Sequence, residues 1–538
     1  MKTAYYNGAV YTGDLPLCQA FIVEDARFLM AGSNEDVFAR LTAQDAKIDL
    51  QGRFVCSGFN DSHMHLLEYG SVLHTAQLAE HTDSLTGMLD YVRAYLADNP
   101  PAEGQWLLGR GWNQDFFTDV NRMPNREDLD AVSSDVPILL TRACGHCCVV
   151  NSKALALAGI GPHTVAPEGG AIGIENGRLD GRLYDNAIEL VHRVLPAPSK
   201  QDIREMLRSA CKKMNQYGIT SVQTDDYLVF QGVSWETINE VYREMANAGE
   251  LTLRVYEQAQ FTDTKELERF VRSGNKTGTG NDRFRIGPVK IVADGSLGSR
   301  TAYLSQPYAD DPGTQGLALF SDEQLNRFVA CANGHGMQLA IHAIGDACLD
   351  QVLNAIEKAL ADHPRDDHRH GVVHCQISRP DQLERMRRLG LHIYAQSIFL
   401  DYDNHIVEKR VGKELAATSY HWKTLMDNGV SVSNGSDCPV ELPDVMTGME
   451  CAVTRTSLDG TGPYLPDQAF SVREALDSFT IRGAEASFEE KWKGRIAPGY
   501  WADFTILAEN PFETEARRLH SISVLSCYLG GKCVYSAQ

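Results

Sequence analysis

The sequence predicts an α/β protein: a closed (β/α)8 barrel with a β-sandwich assembled from both ends of the chain and a lid region inserted into the barrel. Three observations predict it. Short apolar runs alternate with amphipathic stretches from about residue 218 onward. The two ends read instead as strands and turns, and a long polar, turn-rich segment lies between about 75 and 190. With 538 residues, 43% of them apolar, the chain can bury more than one core.

Taken in order, the first 58 residues hold punctuated apolar runs, Ala20 to Val23 and Arg27 to Ala31, closed by turn-like Gly32, Ser33 and Asn34. The character changes at FVCSGFNDSHMHL, read as the first barrel strand with a site at its end. The segments GRGWNQDFFTDVNRMPNRED and GPHTVAPEGGAIGIENGRLDG read as long polar connections, which often cover binding surfaces. GITSVQ, LTLRVYEQ, IGPVKIVAD, MQLAIHAIGD, RHGVVHCQI, LHIYAQSI and GVSVSNGSD follow as short strands, and LNAIEKALADHP as a helix ending before Pro364. The final GRIAPGYWADFTILAENP and VLSCYLGGKCVYSA return to the style of the N-terminus. The expected domains are therefore 1–58 with 490–538 as a composite β-sandwich and 59–489 as the barrel, which carries a lid at about 75–190.

Composition narrows the class. Lys and Arg number 50 against 71 Asp and Glu, a formal charge of -21, which opposes broad attraction to nucleic acid or an anionic membrane. No run approaches the roughly 20 apolar residues a spanning helix needs, and MKTAYYNGAVYTGD is too polar for a secretory signal. Thirteen irregularly spaced cysteines fit free thiols in a reducing compartment. The expectation is a cytoplasmic protein with a small-molecule substrate and neither nucleic-acid nor membrane partners. A homodimer accords with the general preference for closed two-fold assemblies.

The chemistry-bearing residues fall at strand ends. His63 and His65 form HMH after the first strand, where alternate side chains share a face and can ligate one metal. His342 in LAIHAIGD, His374 in GVVHCQI, Asp437 after GVSVSNGS and Lys290 in IGPVKIVAD recur at comparable places. A barrel brings such distant residues together at its C-terminal mouth. Alone, each histidine could equally be a satisfied core residue, and Lys290 a salt-bridged lysine.

The ordered landmarks GFNDSHMHL, GHCCVVNSKALALAGI, GITSVQ, VKIVADGSLGSRTA, IHAIGD, VHCQI and NGSDCPV resemble the YtcJ-like group of the metal-dependent amidohydrolases, which is similar also to N-substituted formamide deformylases. The resemblance runs almost the whole length of the chain. It implies metal ligation by His63, His65, Lys290, His342, His374 and Asp437, with Lys290 carboxylated so that it bridges two ions. Zn²⁺ is expected ahead of Fe²⁺ or Mn²⁺, since nitrogen and oxygen donors do not identify the metal. It further implies hydrolysis of a nonpeptide C–N bond, an amide or N-acyl/N-formyl group, with Asp437 as proton shuttle. Trp112, His146, Asp294, Asp346 and Gln396 are candidates for substrate contact or for orienting a ligand. Asp294 and Asp346, each four residues past a ligand, could instead cap turns.

Three other readings compete. The same scaffold could cleave a cyclic amide, carbamate or ester. Cys144 and Cys147 in CGHC could exchange disulfides if a helix terminus lowered a thiol pKa. The ligand cage could also survive in an inactive metal-binding scaffold. Adjacent Cys147 and Cys148 lack the separated pairs of a structural zinc site, and neither a Walker A loop nor a G-x-S-x-G elbow is present.

Overall fold

The computed structural model describes residues 2–144 and 146–537. The chain divides into two compact units, Met1–Tyr69 with Ile203–Val229 and Val233–Gln538, and Gly70–Asp202 with Phe230–Gly232.

The first unit contains the barrel. Its eight strands are β1 (Phe59–Met64), β2 (Ile219–Thr224), β3 (Arg254–Gln260), β4 (Phe284–Val292), β5 (Leu339–Ala343), β6 (Gly371–His374), β7 (His392–Ala395) and β8 (Ser431–Asn434). They lie side by side in sequence order as one parallel sheet. Nearly all their residues are buried, as expected of strands covered on both faces. The seven apolar runs expected downstream each hold one of β2 to β8. The first and last strands meet where the Asp437 amide donates to the His63 carbonyl at 2.9 Å and the His65 amide donates to the Cys438 carbonyl at 2.8 Å. Gly435 makes this approach feasible, because a Cβ there would lie 2.5 Å from the His63 nitrogen.

Helices follow the strands and turn one apolar face inward. In Asp346–Asp362 the buried residues Leu349, Val352, Leu353 and Ile356 recur at helical spacing. This helix starts earlier than the expected stretch from Leu353: Cys348, Leu349 and Val352 already belong to its buried face.

The two chain ends build the sandwich together. One sheet orders Arg27–Gly32, Ala20–Glu24, Thr3–Tyr6 and Ala46–Asp49. The other orders Ala9–Val10, Phe54–Ser57, Phe504–Leu507, Val524–Leu529 and Lys532–Ser536. Tyr5, Phe21, Phe28, Val55, Phe504 and Ile506 share the core between them. The sandwich is continuous with the barrel. Arg254, at the start of β3, donates to both carboxylate oxygens of Asp503 at 2.6 and 3.0 Å, with both side chains 3% exposed.

The second unit, wider than the expected 75–190, is a six-stranded sheet ordered Gly170–Glu175, Arg178–Asp185, Cys147–Val150, Ile138–Arg142, Leu107–Trp112 and Ala76–Gln77. It carries separate apolar clusters around Met88, Trp112 and Leu140 and around Leu139, Val150 and Leu183.

Candidate metal centre

The site forms at the C-terminal ends of the barrel strands, where this architecture places chemistry. One ligand atom from each of His63, His374 and Asp437 lies within 4.8 Å of the others, and all three residues are buried. His63 sits near the end of β1, His374 closes β6 and Asp437 follows β8. His374 and Asp437 adopt φ of 72° and 58°. Non-glycine residues hold this left-handed conformation at a cost, and such strain concentrates at functional sites.

Two glutamines set the protonation of the imidazoles. Gln258 donates its amide N–H to the Ser62 carbonyl at 3.2 Å, which turns its Oε1 toward His63 Nδ1 at 2.8 Å. Gln396 donates to the Tyr394 carbonyl at 2.9 Å and presents Oε1 to His374 Nδ1 at 2.7 Å. An oxygen there requires Nδ1 to carry the proton, so each Nε2 keeps its lone pair for the site. The Trp422 indole N–H donates to the His374 carbonyl at 3.0 Å and holds the backbone turn.

The electrostatics agree. Burial and the Lys290 charge hold His63 below the usual histidine range, and burial with His342 holds His374 well below it. Burial would raise Asp437, but its close contacts with His63 and His65 and the nearby His374 keep it well below the usual carboxylate range. Two neutral imidazoles and a carboxylate form a donor set suited to a divalent cation.

The other expected ligands adjoin this cluster. His65 Nε2 lies 3.1 Å from Asp437 Oδ1, and its Nδ1 contacts Asp225. Burial would lower His65, yet the two carboxylates raise it well above the usual range. Lys290 Nζ is 3.3 Å from His63 Nε2 and 2.9 Å from Asp225 Oδ2. The His342 ring packs edge-on to His374 with centroids 4.4 Å apart, while its Nε2 faces the Gly295 carbonyl at 3.2 Å and Asp294 Oδ1 at 3.3 Å.

The remaining candidates separate. Asp294 is fully buried and accepts the Ile344, Gly345 and Tyr303 amides at 2.9 to 3.0 Å, so it both caps the turn after β5 and faces His342. Asp346 instead accepts the Ser305 amide at 2.9 Å and the Arg379 guanidinium at 2.6 Å, a clamp between loops. Gln396 acts on His374, as above. Trp112 is corrected: it lies at 0% exposure in the core of the second unit and donates its indole N–H to the Leu140 carbonyl at 2.9 Å, which leaves nothing to offer a substrate. His146 is largely exposed and faces Asp185 at 3.1 Å. Gly145 of the CGHC motif lies outside the described residues. Cys147 is buried in a strand with its thiol pushed up to about 11 by burial; Cys144 is exposed, and although burial would raise its thiol, Arg142 and the His146 backbone together lower it.

Asp225 and Gln258 were not expected. Burial would raise the Asp225 carboxyl, but His65 and Lys290 hold it well below the usual range. It stands one residue past the end of β2, as His65 does past β1. That shared position is the signal that could have found it.

Comparison with known proteins gives a consistent answer. An amidohydrolase family model matches residues 46–535. The chain is 34% identical to the YtcJ protein of Bacillus subtilis (strain 168) over 99% of both chains. It is 27% identical to the N-substituted formamide deformylase of Arthrobacter pascens, over 96% of this chain and 95% of that one. Among solved structures, an uncharacterized metal-dependent hydrolase from Pyrococcus furiosus superposes with a TM-score of 0.79 at 28% identity, covering 95% of this chain and all of that one. A full-length match of this kind, on a barrel whose strand ends gather a metal-ligating cluster, places the chain in the amidohydrolase family as a metal-dependent hydrolase of nonpeptide C–N bonds.

Proposed function

We propose that the substrate is an N-acyl amine, with an N-formyl amine as the leading form, and that the site works with two divalent ions, Zn²⁺ ahead of Fe²⁺ or Mn²⁺. His63, His374 and Asp437 would hold the first ion, and His65, His342 and a carboxylated Lys290 would complete the pair. The observation that carries the reading is the convergence of His63, His374 and Asp437 at one end of the barrel. The similarity to a formamide deformylase supports the acyl group. A bare ammonium on Lys290, 3.3 Å from His63 Nε2, would oppose a dication, whereas a carbamate on the same nitrogen brings an anionic oxygen.

A divalent ion bound here supplies a Lewis acid that acidifies water and polarises a carbonyl. The protein's own groups do the rest. Gln258 and Gln396 fix the ligand rings. The Asp437 carboxylate, kept ionised by its imidazole partners, takes the proton from the attacking water and returns it to the leaving nitrogen. The thirteen free cysteines accord with a reducing cytoplasm. No helix among the described residues is long and apolar enough to cross a membrane.

The test is a metal-loaded assay on N-formyl and N-acyl amines with Asp437→Asn beside the native chain. Turnover should fall by about 10²- to 10⁴-fold while the variant stays folded. Unchanged turnover would remove Asp437 from the proton path. No extra mass on Lys290 and a single bound ion per chain would overturn the two-ion arrangement.

A further inference from the structure

A cavity of about 170 Å³ opens on the same rim of the barrel as the metal cluster. Its walls come from the segments that carry the cluster: Ile344 lies two residues past His342, Gln376 two past His374, and Glu441 four past Asp437. Phe399, on the turn after β7, joins the two places, since it lines the cavity and stacks on the His374 ring at 5.8 Å and 17°. Leu297 and Val440 extend the apolar wall. Cavities of about 150 Å³ accept a benzene-sized molecule.

The polar lining is one-sided. Gln376 is 2% exposed and gives its amide N–H to Asp403 Oδ2 at 3.4 Å, which leaves its buried Oε1 without a hydrogen-bond partner. Asp403 is 7% exposed, and its Oδ2 also accepts the Tyr420 hydroxyl at 2.8 Å. Among the described residues no donor reaches Oδ1 of Asp403, and no cation pairs with Asp403 or Glu441. Burial pushes the Asp403 carboxyl up to about 6. Burial, with Asp401 and Asp403, pushes Glu441 to about 7. An unpartnered buried amide oxygen is costly until a donor arrives, and two carboxylates without a cation in the same cavity wall favour a donor that is positively charged.

We infer that this cavity holds a protonated amino group of the substrate, so that the substrate class is an N-acyl amine bearing a second, basic nitrogen. The ammonium donates to Gln376 Oε1 and to the carboxylates of Asp403 and Glu441, and the hydrocarbon between the two nitrogens covers Leu297, Ile344, Val440 and Phe399. The placement of the acyl group rests on the reading of the metal centre given above; the cation site itself does not.

Calorimetry on the full metal-loaded chain with benzylamine and its neutral isostere benzyl alcohol tests the site directly. Benzylamine should bind at least ten-fold more tightly, and the difference should shrink several-fold in Glu441→Gln and in Asp403→Asn. Because Asp403 is packed against Tyr420, its variant could fail to fold; Glu441 is half-buried at the rim and keeps the test decisive. Equal affinity of the two probes overturns the inference. So does a benzylamine preference that persists undiminished in Glu441→Gln, since that is how an amine ligating the metal alone behaves. In parallel, kcat/KM is compared for the mono-N-formyl derivative of a diamine and for an N-formyl alkylamine of equal length. A probe preference without turnover of either compound supports the cation site and sinks the N-acyl reading. Turnover of both compounds at equal kcat/KM, with equal probe binding, sinks the site and spares the hydrolase.

Discussion

Replacing Gln396 by Met should weaken metal binding about 5- to 150-fold without unfolding the protein. The His374 ring is 2% exposed, and its Nδ1–H has one acceptor, Gln396 Oε1 at 2.7 Å. Methionine keeps the length and most of the volume of the side chain but removes that oxygen. With a metal on Nε2 the ring cannot turn, so its Nδ1–H is stranded in a buried place at a cost of about 1–3 kcal/mol. Without metal the ring is free to turn and find another acceptor, so the cost falls on the bound state and appears as lost affinity. At about 1.4 kcal/mol per decade, that is the range given, and it overlaps the roughly 10- to 100-fold effects found when the outer partners of ligating histidines are removed. The assay is competition with a chromogenic chelator for Zn²⁺, with elemental analysis for stoichiometry and near-UV circular dichroism for folding. Gln258→Met should behave alike through His63. A folded Gln396→Met protein whose affinity stays within about two-fold of the native value, against the decade expected, would refute the claim that the glutamines set the ligand tautomers.

Three further outcomes are expected. Asp503→Ala leaves the Arg254 guanidinium buried without its bidentate partner and should cost about 3–5 kcal/mol in denaturant unfolding; a loss under about 1 kcal/mol would show that the pair does not anchor the sandwich to the barrel. His392 is fully enclosed beside Ser433 Oγ at 2.7 Å, and burial lowers its imidazole to about 3. The unfolded chain takes up this proton below its ordinary value of about 6.5 and the folded chain only near 3, so the contribution is complete above the first value and is lost as pH falls toward the second. The loss should run at about 1.4 kcal/mol per pH unit, and a folded His392→Gln protein with the native pH slope would contradict it. Changing Cys144 and Cys147 together to Ser should leave metal-dependent turnover within about two-fold, because the metal-ligating cluster is built of histidine and aspartate and holds no cysteine; loss of turnover in a folded variant would return the redox reading to contention.

The barrel was legible because its strands are buried on both faces. That condition writes predominantly apolar runs such as IGPVKIVAD and MQLAIHAIGD into the chain, and each ends where a polar residue can face the mouth. The same rule points to His63, His65, Lys290, His342, His374 and Asp437, but the run GITSVQ stops at Gln223 and so passes over Asp225, at the corresponding place on β2. Gln258 is harder to see, because its role depends on β3 setting its amide against His63 from 195 residues away in sequence, and a lone glutamine at the end of an apolar run has no pattern of its own. Trp112 misled for the opposite reason. Arg110, Gly109 and Gly111 break the apolar run of Leu107–Trp112, so a core strand with a buried indole reads as a loop with an exposed one. Asp403 and Glu441 lie beyond any strand-end rule, in the loops after β7 and β8, and only the folded chain shows that both line one cavity with Gln376. Chemistry common to the scaffold is therefore readable at strand ends, where backbone geometry dictates direction. Whatever distinguishes this substrate from another must be sought in the loops, where side-chain direction depends on contacts the sequence does not spell out.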